Sequence, residues 1–360
     1  MRPPSCQISL EAITQNVETL RALVHPTPLC AVVKANGYGH GVIEVARTVL
    51  SAGATWLAVA IVEEGVELRQ AGIDAPILVL SEHNASLRDV VDFGLTPTVY
   101  TLDGVAALDA IAKDTGPLKV HVGLDTGMRR VGVEPDELAT VLEAVQSSNN
   151  LEVEAAWTHC PVADEPDNPF TDGQLSRFDA AVAASELPTH VANSAVAFTR
   201  PDRDAFMVRC GISLYGIDPD PALAGQVELR PALTLRSQVT FAKRIEAGEA
   251  VGYGHRWTAT EPTGIATVPI GYADGVRRDL GLRGGGVLIG GKRHRIVGVV
   301  AMDQLMVDVG DHEVAVGDEV ILIGSQGDEQ IAAWDVATTL DTIAYEVICA
   351  IGKRVPRNYP

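Results

Sequence analysis

The residue most suggestive of chemistry is Lys34, which ends an apolar run in the segment LCAVVKANGYGHG. The run at residues 29–33 is typical of a buried strand, so it brings an amine to the end of that strand. Near a protein interior the charged form of an amine is disfavoured, and the neutral amine can form an imine with a carbonyl group. A lysine after a strand is more often simply solvated. Covalent carbonyl chemistry is therefore a hypothesis that other residues must support.

Short apolar runs alternate with helix-like stretches through the first two thirds of the chain. Strands are predicted at residues 29–33, 56–60, 77–80, 96–99, 118–124, 153–158, 189–192 and 206–208. Helices are predicted between most of them, at residues 41–52, 63–71, 102–113, 135–145 and 173–183. Near-continuous apolar strands indicate a parallel sheet covered on both faces. Eight such units in about 200–250 residues favour a (β/α)8 TIM-type barrel over an open doubly wound sheet.

The sequence pattern changes after about residue 229. Runs of β-branched residues with glycine turns replace the helical period, as in GIATVPIGYADG and GGVLIGGKRHRIVGVV. The sequence therefore predicts a barrel domain over residues 1–228 and a mostly β domain over residues 229–360. One helix is predicted in the second domain, at residues 332–340, and residues 7–9 could form a strand that pairs elsewhere.

Composition and charge exclude several classes of protein. The 360 residues are 46% hydrophobic and 21% charged, which favours a large core. The formal net charge of −19 argues against nucleic acid or an anionic membrane as a partner. Five cysteines without C-x-x-C spacing indicate reduced thiols, and no run approaches the ~18 apolar residues of a membrane span. With no apolar signal-peptide core at the N-terminus, we expect a cytoplasmic protein.

Polar residues follow several of the predicted strands, where the chemistry of a (β/α)8 barrel is found. Arg130 follows the fifth strand, His159 ends the sixth, Asn193 and Ser194 end the seventh, and Arg209 ends the eighth. Each of them alone has an ordinary structural explanation, such as a salt bridge or a hydrogen-bonded histidine. Together with the lysine they are expected to converge on one rim of the barrel, which favours a site.

The segment RCGISLYG has features of an anion site. Gly211 lets a phosphate approach the backbone, and Ile212 and Ser213 can offer N–H groups at the start of a helix. Ser194 can add a hydroxyl. An imine-forming lysine together with a phosphate site suggests pyridoxal 5'-phosphate as the cofactor. A tight turn with no ligand is the alternative explanation of this segment.

These segments together resemble the bacterial alanine racemases, a two-domain family that depends on pyridoxal phosphate. The family's motifs occur in order as AVVKANGYGHG, LDTGM, THC, ANSA, RCGISLYG, VGYG, GYADG and AMDQ, and the likeness continues to the closing YEVICAIGKRVPRNY. The resemblance implies a barrel followed by a β domain. It also implies an isomerase that interconverts L-alanine and D-alanine by two-base proton transfer on a pyridoxal-phosphate aldimine. A homodimer with shared active sites and a role in D-alanine biosynthesis are implied as well.

The resemblance also assigns a role to each motif residue. Lys34 binds the cofactor and is one base, and Tyr253 of the second subunit is the base on the opposite face. His159 links Arg209, which faces the pyridine nitrogen, to Tyr253. The residues implied to contact the cofactor phosphate are Tyr38, Ser194, Gly211, Ile212 and Tyr345. The residues implied to hold the substrate carboxylate are Arg130, which also contacts the cofactor, Tyr272 and the backbone at Met302.

The chain departs from the family pattern at Gly123. Alanine racemases commonly have a lysine there, often carbamylated, which bonds to the arginine at position 130. Glycine has no side chain that could neutralise or orient Arg130. We hypothesise that a small anion or a water molecule takes this place.

Four other functions are consistent with parts of the pattern. A non-catalytic pyridoxal-phosphate-binding protein would lack the second domain and Tyr253. An amino-acid decarboxylase of similar build would show other motifs. A metal hydrolase using His121, His159 and His190 would need an H-x-H pair on the first strand, so no metal is expected. A racemase that prefers another amino acid, such as serine, is the nearest competitor.

Overall fold

The computed structural model describes residues 2–82, 85–114, 116–203 and 206–360. The chain divides into two compact units. The barrel unit consists of Glu11–Gly37 and Gly41–Arg230, and the β unit of Met1–Leu10, Tyr38–His40 and Pro231–Pro360. The N-terminal strand β1 (Ser5–Ile8) belongs to the β unit, although it precedes the barrel in the chain.

Eight parallel strands within the described residues form the barrel, which confirms the predicted fold class. They are β2 (Leu29–Val32), β3 (Trp56–Val59), β4 (Ile77–Val79), β5 (Thr96–Val99), β6 (Leu118–Gly123), β7 (Leu151–Trp157), β8 (Thr189–His190) and β9 (Val208–Cys210). Strands β2 to β8 pair in chain order, and β9 pairs with β2. The Arg209 N–H donates to the Ala192 carbonyl at 2.9 Å, which joins β9 to the segment after β8.

Helices lie between most of the barrel strands. They are α1 (Leu10–Val24), α2 (Val42–Ser51), α3 (Val62–Gln70), α4 (Leu87–Asp92), α5 (Leu102–Ile111), α6 (Leu138–Gln146), α7 (Phe170–Val182) and α8 (Ser194–Thr199). Helix α2 illustrates why they form. It buries Val42, Val45, Ala46 and Val49, an i, i+3, i+4, i+7 spacing that gives one apolar face.

The strand boundaries differ from the prediction mainly at the end of the barrel. The seventh strand is only Thr189–His190, and the eighth lies at Val208–Cys210 rather than at residues 206–208. Arg209 therefore lies within β9, one residue before its last residue, and does not end the strand as predicted. Pairing with β2 sets the start of β9, and the chain's own pattern does not reveal that register.

The β unit contains one large sheet and a two-stranded ribbon. Its remaining strands are β10 (Leu233–Gln238), β11 (Phe241–Ile245), β12 (Ala250–Val251), β13 (Trp257–Thr258), β14 (Thr263–Val268), β15 (Gly286–Ile289), β16 (Lys292–Val297), β17 (Leu305–Gly310), β18 (Glu319–Gln326), β19 (Glu329–Ile331) and β20 (Arg357–Asn358). The large sheet has the order β11-β14-β17-β16-β15-β18-β10-β1-β20, with β19 paired to β18, and the ribbon is β12-β13. The strand suspected near residues 7–9 is β1, which pairs with β10 and β20.

Two helices follow the last long strands of the β unit, α9 (Ala333–Leu340) and α10 (Ala344–Cys349). The prediction of a single helix at residues 332–340 was therefore incomplete, because the six residues AYEVIC are too short to show a helical period. Among the helices of the described residues, none has the length and apolarity that crossing a bilayer requires.

Candidate functional site

Lys34 lies two residues after the last residue of β2 and begins a left-handed turn. The φ/ψ angles are 53°/49° at Ala35, 56°/47° at Asn36 and 61°/46° at Gly37, and φ remains positive, at 50°, at Tyr38. For residues other than glycine this conformation costs roughly 1 kcal/mol each, because Cβ approaches the following carbonyl oxygen. Backbone strain that persists in a fold is concentrated at functional sites. The turn therefore marks the neighbourhood of Lys34 as a constrained segment.

Hydrogen bonds from outside the turn hold it in place. The Glu64 carboxylate accepts from the N–H of Ala35 at 2.6 Å and from the N–H of Ala60 at 2.9 Å. The side-chain oxygen of Asn36 accepts from the Val42 N–H at 2.9 Å. Glu64 thus ties the residue after the lysine to the end of the neighbouring strand β3. The sequence interpretation did not identify Glu64, because its partner lies 29 residues away.

Ala35→Gly is expected to raise the free energy of unfolding by about 0.5 kcal/mol. Glycine removes roughly 1 kcal/mol of strain in the left-handed conformation. It also loses more backbone entropy on folding than alanine does, which offsets part of this gain. The control is Ala106→Gly at an exposed position of α5, which is expected to lower the free energy of unfolding by about 1 kcal/mol. Urea denaturation followed by circular dichroism measures both. Equal destabilisation by the two variants would contradict a strained Ala35.

Positive charges surround His159 in the barrel unit. Burial, reinforced by the charges of Arg209, Arg130 and Lys34, lowers the pKa of His159 to about 3. The imidazole is therefore neutral at physiological pH. The structure thus brings together four of the residues predicted for the barrel rim. Three cations around a neutral imidazole suit an anionic ligand.

Arg209 is fixed more tightly than a solvated arginine. Its Nη1 donates to His190 Nδ1 at 2.6 Å and to the His190 carbonyl at 2.9 Å, and its Nη2 donates to the Thr158 carbonyl at 2.9 Å. The guanidinium carbon lies 4.8 Å from the centre of the Trp157 ring. A buried guanidinium held on several sides presents its remaining edge in one orientation.

Arg130 is exposed and lines a small cavity of about 10 Å³ with Tyr100, Gly123, Trp157 and His159. The indole nitrogen of Trp157 is buried and has no hydrogen-bond partner within the part of the chain that the structure describes. This N–H could donate a hydrogen bond to a small anion or a water molecule near Arg130, as the sequence hypothesis requires. The hypothesis itself stays a prediction.

A side chain at position 123 would meet close neighbours. A Cβ built on Gly123 would lie 3.1 Å from the Thr98 Cγ2 atom and 3.4 Å from the Trp157 Nε1 atom. The space that a family lysine would enter is therefore narrowed by Thr98 and Trp157. A side chain at position 123 is therefore limited by packing as well as by charge.

Gly123→Lys is accordingly expected to destabilise the protein by about 2 kcal/mol and not to increase its activity, because an overpacked side chain forces neighbours to shift. Gly173→Lys in α7 is the control, since its Cβ would meet nothing closer than the Arg177 Nη1 atom at 3.4 Å. Denaturant melts give the stability, and initial rates give the activity. Higher activity of Gly123→Lys with unchanged stability would contradict this expectation. It would show that the site has room for a lysine at position 123.

The segment after β9 forms a short 3₁₀ helix, Ile212–Tyr215, preceded by Gly211. The Gly211 N–H donates to the Ser194 hydroxyl at 3.0 Å, so two predicted phosphate contacts adjoin each other. The Ser213 hydroxyl is buried and finds no hydrogen-bond partner among the residues described. An unsatisfied buried hydroxyl beside a helix start and a glycine fits a phosphate group.

Two further predicted residues adjoin each other in the β unit. The rings of Tyr38 and Tyr345 have centroids 6.3 Å apart. The backbone after Tyr38 is held by the C-terminal residues, because Arg357 Nε donates to the Gly39 carbonyl at 2.9 Å and the Tyr359 hydroxyl to the His40 carbonyl at 3.0 Å.

Tyr272 and Met302 are brought together by backbone hydrogen bonds. The Tyr272 N–H donates to the Ala301 carbonyl and the Ala273 N–H to the Met302 carbonyl, both at 3.0 Å. A Cβ on Gly271 would lie 2.3 Å from the Ala301 oxygen, so only glycine permits this approach. The predicted pairing of the two segments around a substrate carboxylate is consistent with this contact.

Asp274 stabilises the turn that contains Gly271 and Tyr272. Its carboxylate accepts from Arg2 at 2.8 Å and from the Gly271 N–H at 3.0 Å. Although burial disfavours the charged form, hydrogen bonds from these donors and the charge of Arg354 lower the pKa of Asp274 below its usual value. The GYADG motif alone does not show this role of the aspartate, because Arg2 lies 272 residues away in the chain.

Tyr253 begins a turn in the β unit, Tyr253–His255, and is 72% exposed. The glycines on either side have φ angles of 74° and 71°, which other residues rarely adopt. The tyrosine ring is thus presented to the outside by a turn that requires glycine.

Comparison with known proteins shows which family uses this arrangement. Residues 8–219 match the family model "Alanine racemase, N-terminal domain", and residues 232–359 match "Alanine racemase, C-terminal domain". The chain belongs to the alanine racemase family. The family depends on pyridoxal phosphate, and the residues around Lys34 and Gly211 fit that group.

Relatives match this family member over its whole length. An alanine racemase of Symbiobacterium thermophilum is 44% identical, and the alignment covers 100% of this chain and 97% of the relative. The crystal structure of alanine racemase from E. faecalis superposes with a TM-score of 0.95 at 41% identity, covering 100% of this chain and 98% of that one. A histidine racemase from Leuconostoc mesenteroides subsp. sake has a TM-score of 0.90 at 31% identity, covering 100% and 98%.

Proposed function

We propose that this protein is a pyridoxal-phosphate-dependent racemase that interconverts L-alanine and D-alanine. The observation that carries the proposal is the position of Lys34, in a chain that matches both domains of the family. Lys34 lies just after β2, and its charge acts on His159, as do the charges of Arg130 and Arg209. The higher identity of the alanine racemases, compared with the histidine racemase, favours alanine as the substrate.

The residues that the family pattern assigns to the cofactor would hold it. Lys34 would bind its aldehyde carbon, and Arg209 would face its pyridine nitrogen. The phosphate would be contacted by Tyr38, Ser194, Gly211, Ile212 and Tyr345. When bound, the cofactor supplies an electron sink that makes the Cα proton of an amino acid acidic.

Two bases are needed, because racemisation removes a proton from one face of Cα and returns one to the other. Lys34 would serve one face. Tyr253 would serve the other from the second subunit. A tyrosine needs assistance to act as a base, and the cationic Arg209, acting through the neutral His159, is the proposed source.

Arg209 would also control which reaction follows proton removal. A guanidinium has a pKa above 12 and scarcely gives up its proton. The pyridine nitrogen would stay unprotonated, so less charge would be withdrawn into the ring. Proton return to Cα would then be favoured over transfer of the amino group.

The substrate carboxylate would be held by Arg130 together with Tyr272 and the backbone at Met302.

The exposed Tyr253 supports a homodimer in which this residue enters the partner's site, since a catalytic base must be withdrawn from solvent. The absence of any disulfide among the five cysteines supports a cytoplasmic location and a role in supplying D-alanine there. We propose no nucleic acid or membrane as a partner.

The direct experiment is to add L-alanine to the purified, cofactor-loaded protein in deuterium oxide, and to follow optical rotation and Cα deuterium incorporation. Loss of rotation with deuterium incorporation is expected. L-Serine and L-histidine are run beside it, and faster racemisation of either would replace alanine as the substrate. Binding of L-alanine with neither exchange nor racemisation would favour a non-catalytic pyridoxal-phosphate-binding protein.

A further inference from the structure

The interior of the barrel contains a chain of polar side chains whose far end the proposed reaction does not use. Arg209 Nη1 donates to His190 Nδ1 at 2.6 Å, and His190 Nε2 lies 2.9 Å from His121 Nδ1. At the far end His121 Nε2 lies 3.3 Å from a carboxylate oxygen of Glu154. Both histidines are fully buried. Branched apolar residues usually fill this space, so the chain requires an explanation.

The chemistry of its two ends fixes the direction of every hydrogen bond. A guanidinium can only donate, so His190 Nδ1 must accept, and the His190 proton lies on Nε2. That proton is donated to His121 Nδ1, which places the His121 proton on Nε2, where it is donated to Glu154. The network thus assigns one tautomer to each ring. All three hydrogen bonds point from the cation to the carboxylate.

The environment keeps both rings neutral and the carboxylate charged. Burial lowers the pKa of His121 and, together with the charge of Arg209, lowers that of His190 well below its usual value. The hydrogen bond from His121, aided by Lys119 at 2.7 Å, lowers the pKa of Glu154 although burial opposes it. Successive hydrogen bonds in a medium of low dielectric polarise one another.

Aromatic rings enclose the two imidazoles. The Trp157 ring is stacked on that of His190 at an interplanar angle of 7°, and the rings of Trp56 and Phe206 have centroids 5.6 Å and 5.7 Å from that of His121. These rings restrict the orientation of the two buried imidazoles and exclude water from them. Charge is therefore little screened where it passes through the imidazoles, whereas Glu154 itself is partly exposed.

We propose that Glu154 is the remote counter-charge of Arg209, and that His121 and His190 are positioning residues which couple the two. The proposal relies on the proposed function in one respect, the assignment of Arg209 to the pyridine nitrogen. The carboxylate strengthens each hydrogen bond of the chain and keeps the guanidinium in one orientation. It also makes Arg209 hold its proton more firmly. Glutamine at position 154 would still accept from His121 but would remove the charge.

The first measurement uses NMR of the full-length, cofactor-loaded protein with ¹⁵N-labelled histidine rings, and His121→Gln and His190→Gln to assign signals. Two N–H resonances shifted far downfield are expected, both on Nε2. In Glu154→Gln the tautomers should persist while the His121 N–H resonance moves upfield, because its hydrogen bond has weakened. Turnover of alanine should fall about tenfold at unchanged KM, equivalent to about 1.4 kcal/mol.

Glu152→Gln is the matched control, since it makes the same change of charge at an exposed position of the same strand. It should leave both resonances and the turnover unchanged. A His190 proton on Nδ1, or identical effects of the two glutamine variants, would overturn the proposal. Because the tautomers of the unmodified protein are measured without turnover, this result does not depend on whether alanine is the substrate. It also stands if Glu154→Gln fails to fold.

Discussion

Lys34→Ala is expected to abolish covalent attachment of pyridoxal phosphate and to reduce alanine racemisation by at least about 10⁴-fold. The variant loses both the amine that binds the cofactor's aldehyde carbon and one of the two proposed bases. Treatment with borohydride followed by intact-protein mass spectrometry measures attachment directly. The unmodified protein should gain the mass of one reduced cofactor, and the variant should gain none.

The control for this variant is Lys243→Ala in β11, where the lysine is exposed. It should retain the added mass and full activity. A reduced adduct on the Lys34→Ala variant would show that another lysine forms the covalent bond. The role proposed for Lys34 would then belong to that other lysine. Added methylamine is expected to restore part of the lost activity, because a small amine can replace the missing group in the space it leaves.

The barrel could be predicted because its strands are buried on both faces. Runs such as ILV in β4 are apolar throughout, so they stand out from the helices that alternate with them. The shortest strand was harder, since Thr189–His190 has only two residues and a polar histidine. That histidine is buried because it bonds to Arg209, a partner the local sequence does not show.

The motif residues could be identified, but the contacts that hold them could not. Glu64 fixes the turn after Lys34 from a neighbouring strand-helix unit, and Asp274 fixes the Tyr272 turn through Arg2, which lies 272 residues away. Such partners meet only in the folded chain. The left-handed turn was equally hidden, because Asn36 and Gly37 tolerate positive φ whereas Ala35 and Tyr38 do not suggest it.

The cavity at Gly123 shows the limit of reasoning by resemblance. The missing lysine was apparent from the motif alone. The close packing of Trp157 and Thr98 around Gly123 was not, because these residues belong to the strands on either side of β6. A single segment shows which side chain is absent, but not which side chains of the neighbouring strands surround that position.

Tyr253→Phe is expected to reduce racemisation by about 10²- to 10⁴-fold while leaving the attachment of the cofactor to Lys34 intact. The two enantiomers of alanine have equal free energies, so kcat/KM must fall equally in both directions. The difference between the two bases therefore appears in the exchange of the Cα proton with the solvent. In deuterium oxide one enantiomer should still exchange its Cα proton through Lys34 without inversion, and the other should not exchange. Equal exchange from both enantiomers would contradict the two-base assignment.

Mixing the two inactive variants tests whether Tyr253 reaches the site of a second subunit. When Lys34→Ala and Tyr253→Phe subunits are dissociated and reassociated in equal amounts, about half of the dimers should be hybrids. One site of each hybrid would contain both substitutions, and the other would contain neither. About a quarter of the unmodified activity should therefore return. If each subunit used its own tyrosine, no hybrid site would be intact, and the mixture would remain as inactive as its components.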